Sequence, residues 1–161
     1  LALQQIYTLS RAAYDEAVNT RDAAAQARAL KEQIAKVLPQ STGVTSAALS
    51  AYATKLETLA GAAATGGRGG RGGGGGGGGG RGGAVAAPVV ETLSGASTAL
   101  GGVMNLLQGA DVRPTTVQLN AIAAARAQGT RVMTRWTALR TTELAALNRT
   151  LTAARLSAIG K

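Results

Sequence analysis

The amino-acid sequence predicts an all-α protein: an antiparallel four-helix bundle with two long outer helices and a glycine-rich loop between helices two and three. Apolar residues recur at three- and four-residue steps in four separate segments, the spacing that lines one face of a helix. Glycine is concentrated between helices two and three, in GGRGGRGGGGGGGGGRGG at 66–83. Alanine and leucine are abundant, phenylalanine and cysteine are absent, and there is one tryptophan. Such a core packs helices closely and leaves few large side chains to wall a substrate pocket.

The first helix is read over the opening 38 residues, LALQQIYTLSRAAYDEAVNTRDAAAQARALKEQIAKVL, which contain neither glycine nor proline. Leu3, Ile6, Ala13, Ala17, Ala24, Ala27, Ile34 and Leu38 form its apolar stripe, flanked by Tyr7 and Tyr14. Because Ala13, Ala17 and Ala24 are small, a partner helix can approach closely there, and they are candidate interaction residues. Pro39 ends the helix and QSTG makes a turn. A second helix spans about Thr45 to Ala63, with Leu49, Tyr52, Leu56, Leu59 and Ala63 at helical steps. Pro88 suits a first turn, and Val89, Leu93, Ala96, Leu100, Val103 and Leu107 give the third helix. Pro114 then fixes a turn, and Thr115 or Thr116 caps a fourth helix reaching Leu156. Leu119, Ile122, Met133, Trp136, Leu147 and Leu151 make its seam.

Continued at the same spacing, that seam takes in Arg126 and Arg140, whose guanidinium groups need a carboxylate or a route to water. Asp15, Glu32 and Glu91 are the expected partners. Arg131, Arg135 and Arg149 point the other way, toward solvent or a binding partner. Organisation follows: residues 1–65 form a first helical hairpin, 66–83 a Gly/Arg linker, and 84–161 a second hairpin packing with the first as one domain. The linker contains Arg68, Arg71 and Arg81. These resemble RGG repeats, but no aromatic side chains are interleaved for base stacking.

The formal charge is +9, with most of the excess after Asp111. A basic last helix suits an acidic partner or nucleic acid. Without histidine or cysteine, the usual Ser-His-Asp, Cys-His and His- or Cys-based metal arrangements are excluded. The eight carboxylates follow neither a di-iron nor an EF-hand spacing. The glycine run lacks the Lys-Ser/Thr of a phosphate loop. No catalytic, metal or cofactor site is therefore expected. No apolar run reaches the ~18 residues of a membrane span. Asn148-Arg149-Thr150 matches the glycosylation tripeptide but falls within a predicted helix.

Three stretches, RAAYDEAVNTRDAAAQARALKEQI, LLQGADVRPTTVQLNAIAA and LRTTELAALNRTL, resemble the C-terminal helical region of bacterial secreted proteins that carry sortilin-like β-propellers. Pro114 and Thr115 match the turn, and Leu144, Leu147, Asn148 and Leu151 match the closing helix. The family is commonly labelled glycosidase-like. The resemblance implies that any sugar chemistry belongs to the propellers and that this helical part is a scaffold, dimerisation or attachment module. It also implies an extracellular or periplasmic setting. The start at Leu1 fits a processed piece of a larger exported protein. Self-association, or contact with the rest of that polypeptide, is the leading expectation. The alternative is a nucleic-acid-binding protein using helix four and the Gly/Arg run.

Overall fold

Thirty-six residues from Ala2 to Val37, free of glycine and proline, wind into the single helix α1. The structure is a computed structural model that describes residues 2–61, 91–108 and 114–160. The protein is all-α, and no strand occurs among the described residues. A 3-10 turn at Leu38–Gln40, with Pro39 inside it, ends α1, and α2 runs over Gly43–Ala60. Next come α3 (Leu93–Gln108) and α4 (Thr116–Ala138). A π-helical turn at Leu139–Glu143 leads into α5 (Leu144–Ala153) without a break. Thr115 caps α4 through a capping box: its hydroxyl accepts from the Gln118 N–H, and Gln118 accepts from the Thr115 N–H.

The arrangement departs from the expected four-helix bundle. Lys31 of α1 pairs with Glu57 of α2, and Arg28 donates to the Gly61 carbonyl. Arg28 also donates to Ser94 at the start of α3, and Ser97 donates to the Ala17 carbonyl. Rising numbers in α2 and then in α3 thus meet falling numbers in α1. The two short helices follow one another along α1 instead of lying side by side. With 18 and 16 residues they span about 27 and 24 Å, so end to end they match the ~54 Å of α1. The α4–α5 column runs with α1, as Glu16 meets Arg126 and the Gly160 N–H donates to Gln33. Neither short helix alone could cover the apolar stripe of α1; their succession does.

Two apolar clusters fill this arrangement. Near one end Ala24, Ala27 and Ile34 of α1 pack with Leu49, Tyr52 and Leu56 of α2 and with Trp136, Leu147 and Leu151. Toward the other end Ala13 packs with Leu100, Val103 and Leu107 of α3 and Ile122 of α4. Five of the residues predicted for the third helix, Leu93, Ala96, Leu100, Val103 and Leu107, are all buried. Val89 and Pro88 lie outside the described residues, as do Ala63 and the Gly/Arg linker with Arg68, Arg71 and Arg81.

The seam of α4–α5 changes register at the π turn. Trp136 is buried before it, Leu139 at its start, and Leu144, Leu147 and Leu151 after it. The five-residue step from Leu139 to Leu144 would carry Leu144 off the core face of a regular α-helix. A π turn absorbs the extra residue, and the Leu144 N–H bonds to the Leu139 carbonyl. Tyr52 donates to that same carbonyl at 3.0 Å, an acceptor that the wider turn leaves accessible. Before the π turn the buried series is Ile122, Ala125, Gly129, Val132, Trp136 and Leu139, so Arg126 and Arg140, each one residue past a buried position, are exposed instead of lying in the seam.

After α5 the chain turns back. Arg155 adopts φ 59°, and the Leu156 and Arg155 N–H groups bond to the carbonyls of Leu151 and Thr152. This is a Schellman ending with arginine where glycine is usual. Asn148 then holds Ile159 by both its main-chain groups, at 3.0 and 2.9 Å.

Candidate interaction surface

Several residues predicted for interaction serve the packing of the chain itself. Ala13, Ala24 and Trp136 are buried between its own helices, and Ala17 is half-buried against the second cluster. Trp136 stands beside Leu139 in the seam, so its indole is part of the core rather than of an exposed face. The small alanines do permit close approach, and the helices that approach are α2 and α3.

The arginines also find partners that the sequence did not identify. Arg126 donates to Glu16 Oε1 from Nε at 2.8 Å and from Nη2 at 2.7 Å. The expected acceptors Asp15, Glu32 and Glu91 do not fill this role, because Glu16 is the carboxylate on the α1 face turned toward α4. The hydrogen bond to Glu16 holds the Arg126 guanidinium above its ordinary pKa. Arg131 binds Glu91 through Nε and Nη2, the shortest contact being 2.6 Å, and Arg135 approaches the same carboxylate at 3.9 Å. Hydrogen bonding from Arg131 pulls the Glu91 carboxyl below its ordinary range. Arg131 and Arg135, expected to point toward solvent or a binding partner, are exposed and also hold Glu91, two residues before α3. Arg149 is exposed and donates weakly to the Ala145 carbonyl within its own helix.

The glycosylation tripeptide has a structural use. Asn148 donates its amide N–H to the Ile159 carbonyl, and its Oδ1 accepts from the Ile159 N–H.

What remains outward is a second stripe on α1. Tyr7, Arg11, Tyr14, Val18, Arg21 and Ala25, all exposed except the half-buried Val18, recur at alternating four- and three-residue steps, the period of a coiled-coil seam. Tyr7 is 63% and Tyr14 54% exposed, whereas Tyr52 and Trp136 are buried. Tyr7 and Tyr14 border an open groove of about 690 Å³ that also takes in Ile6 and Met104. Charges line the same face: Arg11 with Asp15 at 4.0 Å, and Arg21 with Asp22 at 3.9 Å, all four side chains exposed. Both distances are at the outer limit of an ion pair, so these groups retain capacity for a partner. In the sequence Tyr7 and Tyr14 flank the core stripe, and their own heptad step is the signal that they form another.

A second groove, about 630 Å³, lies between α1 and α4. Thr130, Thr134, Thr137 and Thr141 line it, each donating its hydroxyl to the carbonyl four residues earlier. Their methyl groups and hydroxyl lone pairs are left for the groove. Glu16 Oε2 is buried beside it without a hydrogen-bond partner among the described residues. No group of histidine, cysteine and carboxylate side chains able to hold a metal occurs among the described residues.

No helix among the described residues is long and apolar enough to cross a membrane. No protein-family model, curated protein or solved structure matches the chain.

Proposed function

We propose that the chain is a non-catalytic helical scaffold or assembly module, joining copies of itself or attaching to the rest of a larger exported bacterial polypeptide. The carrying observation is the exposed stripe on α1, where Tyr7 and Tyr14 stand in water while the other described aromatic side chains are buried. Exposed tyrosines at coiled-coil spacing give large contact area at small entropic cost, as they do at many interfaces. The carboxylates also act as ties between helices: Glu57 to Lys31, Glu143 to Lys55, Glu16 to Arg126 and Glu91 to Arg131. The place in a larger exported polypeptide rests on the resemblance to the helical region that follows sortilin-like propellers.

The nucleic-acid alternative has less support. Of the helix-four arginines it would use, Arg131 and Arg135 are engaged by Glu91, while Arg149 is exposed.

Sedimentation velocity over a wide concentration range tests the assembly reading. The wild-type chain is expected to associate, and the double variant Tyr7→Ser/Tyr14→Ser to sediment as a monomer with unchanged helicity. Equal association of the two would overturn the role of this face.

A further inference from the structure

The outer face of α1, its stripe flanked by Asp15, Asp22 and Ala29, is complementary to itself when reversed. We infer that a second copy of this chain docks on it, α1 against α1 in opposite directions, with the two-fold axis at Val18. This rests on the assembly reading above and names its partner.

In that pairing, residues equidistant from Val18 face each other. Arg21 meets Asp15 of the second copy, and by symmetry Asp15 meets the second Arg21. Within one chain these side chains are exposed and make only marginal pairs, so nothing must be broken to form the new ones. Tyr14 faces Asp22 of the second copy, whose carboxylate can accept the phenol proton. Size matches as well as charge. The large Tyr7 and Arg11 occupy one end of the stripe, and the exposed Ala25, with Ala29 beside it, the other. Reversal sets Tyr7 over Ala29 and Arg11 over Ala25, where a methyl group leaves room for the longer side chain. Parallel pairing would stack Tyr7 on Tyr7 and Arg11 on Arg11, placing like charges together. An isologous contact of this kind is the commonest route to a dimer.

Cysteine cross-linking tests the pairing cleanly, because the chain has no cysteine of its own. Val18→Cys places two thiols at the axis, within disulfide reach, and should oxidise to a covalent dimer. Ala25→Cys places its two thiols about 21 Å apart along the helices and should stay reduced. Asp15→Arg should weaken association roughly tenfold by turning two symmetric pairs repulsive, and the swap Asp15→Arg/Arg21→Asp should restore it.

Cross-linking at both positions would mean a parallel pair and overturn the inference. Association without cross-linking at Val18, and indifferent to the charge swap, would overturn this pairing while leaving self-assembly standing through another surface. A wild-type chain that stays monomeric throughout would overturn the self-pairing and leave the face to a different polypeptide.

Discussion

Gly61 and Thr92 touch: a Cβ added to Gly61 would stand 2.5 Å from the Thr92 hydroxyl oxygen. The residue that ends α2 therefore meets the residue that caps α3, since Thr92 Oγ1 accepts the Gly95 N–H at 3.0 Å. The two short helices form an interrupted column, and the chain leaves and rejoins it at one place. Gly61 has φ 74° and ψ 177°, a region that is essentially restricted to glycine. Gly61→Ala should cost about 1–3 kcal/mol, read as a lower urea midpoint with an unchanged slope. Replacing residues 62–90 by a short Gly-Ser connection should change stability by no more than about 1 kcal/mol, because closure entropy varies slowly with length. Loss of cooperative unfolding on shortening would contradict the end-to-end column.

Tyr52 ties α2 to the π turn. Burial, with a further contribution from Glu143, pushes its phenol up to about 12 from an ordinary value near 10. Below pH ~10 the phenol is protonated whether the chain is folded or unfolded, so it adds no pH dependence. Between about 10 and 12 the unfolded chain releases the proton first, and stability falls with rising pH by on the order of 2 kcal/mol. Tyr52→Phe should lose about 1 kcal/mol at neutral pH through the lost hydrogen bond to the Leu139 carbonyl, yet show a shallower alkaline loss. Thermal melts across that range check both signs.

Glu91 is the acid-side counterpart. Its folded pKa is lowered, first by hydrogen bonding from Arg131, so its contribution is present above the ordinary value of 4.5 and is lost as pH falls through the lowered one. Glu91→Gln should flatten that part of the acid limb. An acid profile identical to that of wild type would show that the Arg131 pair does not couple to folding.

Adjacent alanines on α1 should respond differently. Ala24 is buried at 2% exposure, and Ala24→Leu should overpack the contact and cost about 1–3 kcal/mol. Ala25 is exposed, and Ala25→Leu should leave the stability of a single chain within about 0.5 kcal/mol. Equal effects in chemical denaturation would argue against the assigned face of α1.

Arg155 holds a left-handed backbone, φ 59°, at the end of α5. Arg155→Gly should raise stability by roughly 0.5–1 kcal/mol by removing the Cβ penalty at the C′ position. No gain in the unfolding midpoint would mean that the Arg155 side chain contributes as much as its backbone costs.

Much of the helical content was legible by reading along the chain. The periodic series in α3 predicted its buried residues, and Pro39 and Thr115 marked an end and a beginning, because stripe, breaker and cap are relations within a few residues. The candidate site was less legible. Ala13, Ala24 and Trp136 carry the apolar signature of a contact, but spacing does not say whether the contact is with the same chain or another. Arg126 needed a carboxylate, and only the meeting of α1 with α4 selected Glu16.

By itself, then, the sequence determined that this is an all-helical chain, which stripes its helices carry and where most of them stop. The tertiary structure decided that α2 and α3 share one column, that a π turn keeps Leu144 on the core face, and that Glu91 pairs with Arg131 at the surface. Local periodicity is set by the geometry of a single helix. Pairing depends on which stripes bury one another, and that is settled among residues far apart in the chain.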